Sequence, residues 1–222
     1  MIHSFYKGKV KIADSVFEDY CRFKKEWQTC KRCQLHKTRK RVVHFRGRLP
    51  ADVALIGEAP GEAEDDIGIP FVGPAGHLLD KIIQAAAEKF SPEHPQPFWE
   101  PVSVCIFNTV CCLPRTIEEL SSGKLREPER EEIASCKPRL SEFLDMVQPR
   151  RVVAMGAIAQ KAFPLVSREL TLEAVPMIHP SAILRKPDGA AGLAFKRSVL
   201  TLVDVFKQVA RETALIQKGR GK

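Results

Sequence analysis

Hydrophobic positions along this chain recur with two periods, and their succession sketches alternating helices and strands. Residues 14–28 set Val16, Tyr20, Phe23 and Trp27 at steps of three and four, the stripe of an amphipathic helix. An apolar run, DVALI at 52–56, reads as a buried strand that opens into the loop GEAPGEAEDDIGIPFV at 57–72. The segment PAGHLLDKIIQAAA at 74–87 predicts a helix with Leu78, Leu79, Ile82 and Ala86 toward the sheet. A proline-rich linker at 91–101 precedes a second strand at 102–110, with Asn108 near its end. From Glu127, Pro128 and Glu129, acids and a proline suited to a helix start, a helix points Ile133, Cys136, Leu140, Phe143 or Leu144, and Val147 inward. A third strand ends in a glycine turn at Gly156, and a further strand ends at His179, which Pro180 holds extended. A last helix at 193–216 carries Val199, Leu202, Val203, Phe206 and Val209 on one stripe, with a frayed basic tail at 218–222. Repeated strand, turn and helix predict an α/β domain over residues 1–222, its sheet parallel and its ligands gathered outside the carboxyl ends of the strands.

Composition narrows the partners. A 222-residue chain builds one such domain with a full core, and 44% hydrophobic content is ordinary for a soluble protein. The net charge of +8 and a pI near 9.2 favour a polyanionic partner, nucleic acid before membrane, because no stretch is long and apolar enough to span a bilayer. The first residues lack the apolar core of a signal peptide, so a cytoplasmic, reducing location is expected, in which seven cysteines remain thiols or bind metal.

Candidate chemistry then concentrates at the strand ends. Glu58, Glu62, Glu64, Asp65 and Asp66 crowd into one loop of an otherwise basic chain, and such repulsion requires a compensating reason. Cys30 and Cys33 form a Cys-X2-Cys pair just past the first helix, a metal half-site or a redox motif. Cys112 and Cys136 supply two further thiols, with Cys111 an alternative to Cys112; a tetrathiolate suits zinc or an iron-sulfur cluster, and the spacing admits both. After Cys33, the cations Lys37, Arg39, Lys40, Arg41, Arg46 and Arg48 read as a solvated strand or loop able to lie along phosphates. Arg185 closes the His179 loop, where chemistry and phosphate binding are expected, and the polar segment 116–125 reads as a lengthened surface loop, with contact to DNA as the alternative.

Three ordered motifs, GEAPGEAED with GIPFVGPAG at 57–76, Asn108 at a strand end, and HPSAILR at 179–185, resemble the iron-sulfur uracil-DNA glycosylases of family 4, a likeness running from Cys30 to the last helix. It implies a three-layer α/β/α sandwich around a short parallel sheet, a 4Fe-4S cluster on Cys30, Cys33, Cys112 and Cys136, and single- or double-stranded uracil-containing DNA as substrate for a monomeric, monofunctional enzyme. By the same resemblance Gly57, Glu58 and Ala59 contact the base, Phe71 stacks on it, Asn108 reads its Watson-Crick edge, His179 faces O2, Glu64 completes the polar wall, and Ser181 and Arg185 meet the DNA. Related families place a water-positioning residue where this chain has Ala59, so that role falls to Glu58 or Glu64. The 112–136 segment is longer than the family's, and Cys111 and Leu113 replace basic residues beside the cluster cysteine. A glycosylase for another modified base, or a uracil-DNA binder that does not cleave, are the competing readings.

Overall fold

The computed structural model describes residues 10–90, 102–117, 125–166 and 172–220. Its elements run β1 (Val10–Ile12), α1 (Asp14–Trp27), a 3-10 turn (Gln34–Lys37), β2 (Phe45–Leu49), β3 (Val53–Gly57), α2 (Glu62–Ile67), α3 (Pro74–Phe90), β4 (Val104–Asn108), α4 (Arg130–Val147), β5 (Arg151–Met155), α5 (Gly156–Val166), β6 (Ala174–Met177), α6 (Pro180–Leu184) and α7 (Asp188–Arg220). The linker at 91–101 and residues 118–124 of the expected insertion lie outside the described residues.

Six strands form one sheet in the order β1-β2-β4-β3-β5-β6. The parallel sheet expected from the sequence is present as β4, β3, β5 and β6, but β2 runs antiparallel to β4 and carries β1 with it, so the whole sheet is mixed. Period-two side chains divide it cleanly. Val53, Leu55, Val104, Ile106, Val153 and Met155 pack on α3 and α7, while Ala54, Ile56, Cys105, Phe107, Val152 and Ala154 pack on α1, α4 and α5. Two apolar faces, each covered by helices, explain why β3 and β4 are buried throughout. No helix among the described residues is long and apolar enough to cross a membrane.

Two expectations are corrected. Only the first half of the basic run is solvated: Lys37, Lys40 and Arg41 are exposed, but Val42, Val43, His44 and Phe45 are buried, and β2 lies inside the sheet. Arg46, 1% exposed, reaches Asp80 on α3 at 2.7 Å, so its charge is answered by a partner 34 residues away that local spacing cannot reveal. The last helix also begins five residues before the predicted start and continues through Arg220, so the tail from Lys218 to that point is helical.

Candidate active site and thiol cluster

Register brings the pocket together. Gly57 and Asn108 are partners at the carboxyl ends of β3 and β4, and the two chains stay zipped beyond the strands. Thr109 donates to the Gly57 carbonyl through both its amide and its hydroxyl at 2.9 Å, and the Val110 amide donates to the Glu58 carbonyl at 3.0 Å. Asn108 is buried, and its Oδ1 has no partner among the described residues. A Cβ on Gly57 would stand 2.4 Å from that oxygen and 2.5 Å from Phe71 Cζ, so only glycine leaves room for the side chains that meet there.

Phe71 itself is held at φ 56, a left-handed backbone that a bulky residue adopts only under constraint. Glu64 supplies the constraint. Its Oε1 accepts the amides of Val72 and Gly73, each at 2.9 Å, and its Oε2 accepts the Gly61 amide at 3.1 Å, so one buried carboxylate ties both sides of the loop. Asp65 accepts the amides of Lys40 and Arg41, and Asp66 pairs with Lys40 Nζ at 2.5 Å. The acids crowded in this loop are thus answered by backbone amides and by the basic run, the compensation that the sequence required.

His179 enters from the end of β6. Its Nδ1 accepts the Ser181 amide at 3.2 Å and lies 2.8 Å from the Ser181 hydroxyl, so the neutral ring carries its proton on Nε2. Nε2 is buried and unpartnered among the described residues, and the ring centroid is 5.8 Å from that of Phe71. Burial pushes the imidazole down to about 4, helped by the Arg185 cation and opposed by Glu64. Gly156, at φ 86, passes beneath: a Cβ there would lie 3.0 Å from His179 Cβ. Glu58 is half-buried, and its carboxyl is raised above the ordinary range by burial and then by Glu127, with Arg185 pulling the other way. Glu58 and His179 therefore both sense Arg185, which is exposed. Ser181, expected to meet DNA, spends its hydroxyl and amide on His179, and Ala59, expected against the base, packs on the thiol cluster.

That cluster lies behind the strand ends. Cys111, Cys112 and Cys136 are buried with Leu35, Val42 and Val110, and Cys33 packs against them. Cys111 Sγ is 3.6 Å from Cys136 Sγ and 3.8 Å from Cys112 Sγ. Cys30 is half-buried at the end of α1, and burial raises the Cys33 thiol, with Cys136, Glu132 and Cys30 adding to the effect and the Leu35 amide opposing it. Arg39 joins the two halves, reaching Cys112 Sγ at 3.3 Å and the Cys30 carbonyl at 2.5 Å. Among the described residues no three His, Cys, Asp or Glu side chains stand close enough to grip a single ion. The donor set does fit a larger thiolate-bound group: soft sulfurs from three elements converge, and Arg39 and the fully buried Arg139 bring positive charge to balance thiolates. Arg139 gave no signal in the sequence beyond standing three residues after Cys136, on the same side of a helix.

Comparison with known proteins agrees with this geometry. The sequence profile of the Uracil DNA glycosylase superfamily matches residues 44–203. A type-4 uracil-DNA glycosylase of Pyrobaculum aerophilum is 32% identical over 179 residues, 72% of this chain and 82% of the relative. Proteins of the same description from Sulfurisphaera tokodaii and Thermotoga maritima are each 31% identical, over 75% and 70% of this chain and 76% and 78% of their own lengths. The profile spans the loop after β3, Asn108, His179 and the buried Cys111, Cys112 and Cys136, and with these relatives it establishes that the chain belongs to the uracil-DNA glycosylase superfamily and, within it, to the type-4 family.

Proposed function

We propose that this protein excises uracil from DNA, hydrolysing the N-glycosidic bond to release the free base and leave an abasic site. The observation that carries the reading is a pair of buried polar atoms without partners, Asn108 Oδ1 and His179 Nε2, beside the Phe71 ring. Buried polar groups are costly unless paired, so a ligand is the natural source of their partners. Uracil complements them: N3–H donates to Asn108 Oδ1, O4 accepts from the Asn108 amide, O2 accepts from His179 Nε2–H, and the pyrimidine stacks on Phe71. A base reaches such a pocket only when extruded from the helix.

Breaking the bond develops negative charge on uracil O2 and positive charge on the sugar. His179, neutral and already oriented by Ser181, donates to the developing anion, while Glu58 at the pocket mouth favours the sugar cation and orients the attacking water. Glu64 holds the loop that positions Phe71. No lysine adduct is required, so the enzyme acts as a monofunctional hydrolase. Cys30, Cys33, Cys112 and Cys136 would hold a 4Fe-4S cluster, whose four thiolate ligands leave it a structural rather than a chemical task.

Release of free uracil from a labelled oligonucleotide tests the reading. Asn108→Asp supplies the discriminating arm, because a carboxylate suits the N4 donor of cytosine and repels uracil O4. Activity on cytosine relative to uracil is expected to rise. A ratio that does not move would place Asn108 outside base recognition, and tight binding without uracil release would make the protein a non-cleaving reader.

A further inference from the structure

Among the described residues, Arg139 is a fully buried cation that contacts the end of β4 on one side and neighbours the thiols on the other. It follows Cys136 by three residues on α4, so both side chains leave the same face of the helix. Its Nη2 donates to the carbonyl of Asn108 at 2.7 Å and to that of Thr109 at 3.0 Å. Its Nε and Nη1 have no oxygen or nitrogen acceptor among the described residues, and the sulfurs of Cys136, Cys111 and Cys112 stand near enough to offset its burial once they are held as thiolates. One side of the guanidinium is therefore fixed to the end of β4, and the other faces the sulfurs.

We infer that Arg139 is a positioning residue that couples the charge held by the thiol cluster to base recognition at the end of β4. A buried guanidinium is tolerated only beside an anion. Thiolates committed to a metal cluster are such an anion, whereas neutral thiols are not. Loss of the cluster leaves Arg139 unopposed, and relief requires the side chain to move or admit water. The carbonyls that move with it belong to Asn108, whose amide faces the pocket, and to Thr109, whose amide and hydroxyl both hold the Gly57 carbonyl. The disturbance thus reaches both walls of the base site through hydrogen bonds already present. The inference rests on the reading that Asn108 contacts uracil and that these cysteines bind a cluster.

The test uses the full chain as wild type, Arg139→Met and Arg139→Lys, measuring iron content, reduction potential, affinity for free uracil and far-UV circular dichroism. Arg139→Met is expected to keep its iron, to shift the potential to more negative values because a neighbouring cation is gone, and to bind uracil roughly tenfold more weakly. Arg139→Lys is expected to restore the potential but not the affinity, since one ammonium cannot serve two carbonyls and the sulfurs together. Chelating the iron should weaken uracil binding by a similar factor in wild type and add little in Arg139→Met. Unchanged affinity in Arg139→Met, or an equal loss on iron removal in both proteins, overturns the coupling. Asn108→Ala separates the two levels: weakened uracil binding there beside an unaffected Arg139→Met sinks the coupling alone, while unaffected binding in Asn108→Ala sinks the base reading as well. If Arg139→Met does not fold, amide hydrogen exchange at residues 108–110 of wild type decides, with faster exchange expected after iron removal and identical exchange overturning the proposal.

Discussion

In the proposed reaction a neutral histidine suffices, because an N–H donor fixed before the reaction costs no reorganisation as the anion develops. His179 meets that condition through Ser181, whose amide claims Nδ1 and leaves the proton on Nε2. Removing one such donor typically costs about 10²–10³-fold in rate, so His179→Ala should slow single-turnover uracil release on that order while affinity for uracil-containing DNA changes little. Lost binding with unchanged chemistry would make His179 a clamp. With its imidazole held down to about 4, below the ordinary 6.5, His179 is not the group that titrates between pH 5 and 8. The stability linked to it is present above pH 6.5 and erodes as pH falls toward 4, where only the unfolded ring gains a proton readily. Glu58 carries the opposite shift: raised by burial, its carboxylate is lost at a higher pH than an ordinary glutamate's. The single-turnover rate should therefore fall on acidification with a midpoint above the ordinary 4.5, and Glu58→Gln should be slow and lack that acid limb. A profile with the same limb in Glu58→Gln would assign it to another group. The strand-end positions of Asn108 and His179 were legible in the sequence because a polar residue ending an apolar strand and a histidine before proline are local signals, whereas their roles came only from the family resemblance. The proton on Nε2 was not, since it depends on which atoms face Ser181.

At the scale of elements, β3 through β5 were legible because strands buried on both faces are short apolar runs with glycine or polar ends. β2 was not. Its Arg46 reads as solvated until α3 is folded beside it and Asp80 arrives, and local charge patterns carry no such information. The same blindness hid the purpose of α2, whose crowded acids required a reason that local sequence could not supply. Folding sorts them: Asp65 and Asp66 anchor the preceding basic run, Glu62 pairs with Arg115 at 3.3 Å, and Glu64 spans its own loop. Glu58 stands outside the helix and, like His179, senses the Arg185 charge. Because the Glu64 carboxylate caps three amides and fixes the turn at Phe71, Glu64→Ala should cost roughly 2–3 kcal/mol of stability by leaving buried donors unpaired. It should also lower uracil affinity, because Phe71 would relax from φ 56. Denaturant melts and uracil binding check the two effects; a variant equally stable but slower in chemistry would return Glu64 to a direct part in the reaction.

For the whole molecule, a net charge of +8 pointed to a polyanion, yet charge counting could not say which cations face it. Many are spent internally: Arg46 on Asp80, Lys40 on Asp66, Arg126 on Glu132 and Arg139 on β4 carbonyls. Arg185 differs, being exposed at the end of the short helix that follows His179, and in the proposed function it meets the DNA strand that delivers the base. Two separable consequences follow from removing it. As a phosphate contact, Arg185→Ala should weaken binding to uracil-containing and undamaged DNA alike and reduce the slope of log affinity against log salt by about 1. As a neighbouring charge, it now lowers both Glu58 and His179, so its loss should raise both groups. For Glu58 a raised carboxyl means protonation at higher pH, and the acid limb of the rate should move upward in pH, opposite to the flattening expected of Glu58→Gln. Salt-titrated affinities and single-turnover pH profiles of Arg185→Ala measure the two effects independently. An unchanged salt slope with a displaced acid limb would leave Arg185 as an electrostatic tuner of the pocket, and a reduced slope with an unmoved limb would confine it to the DNA backbone.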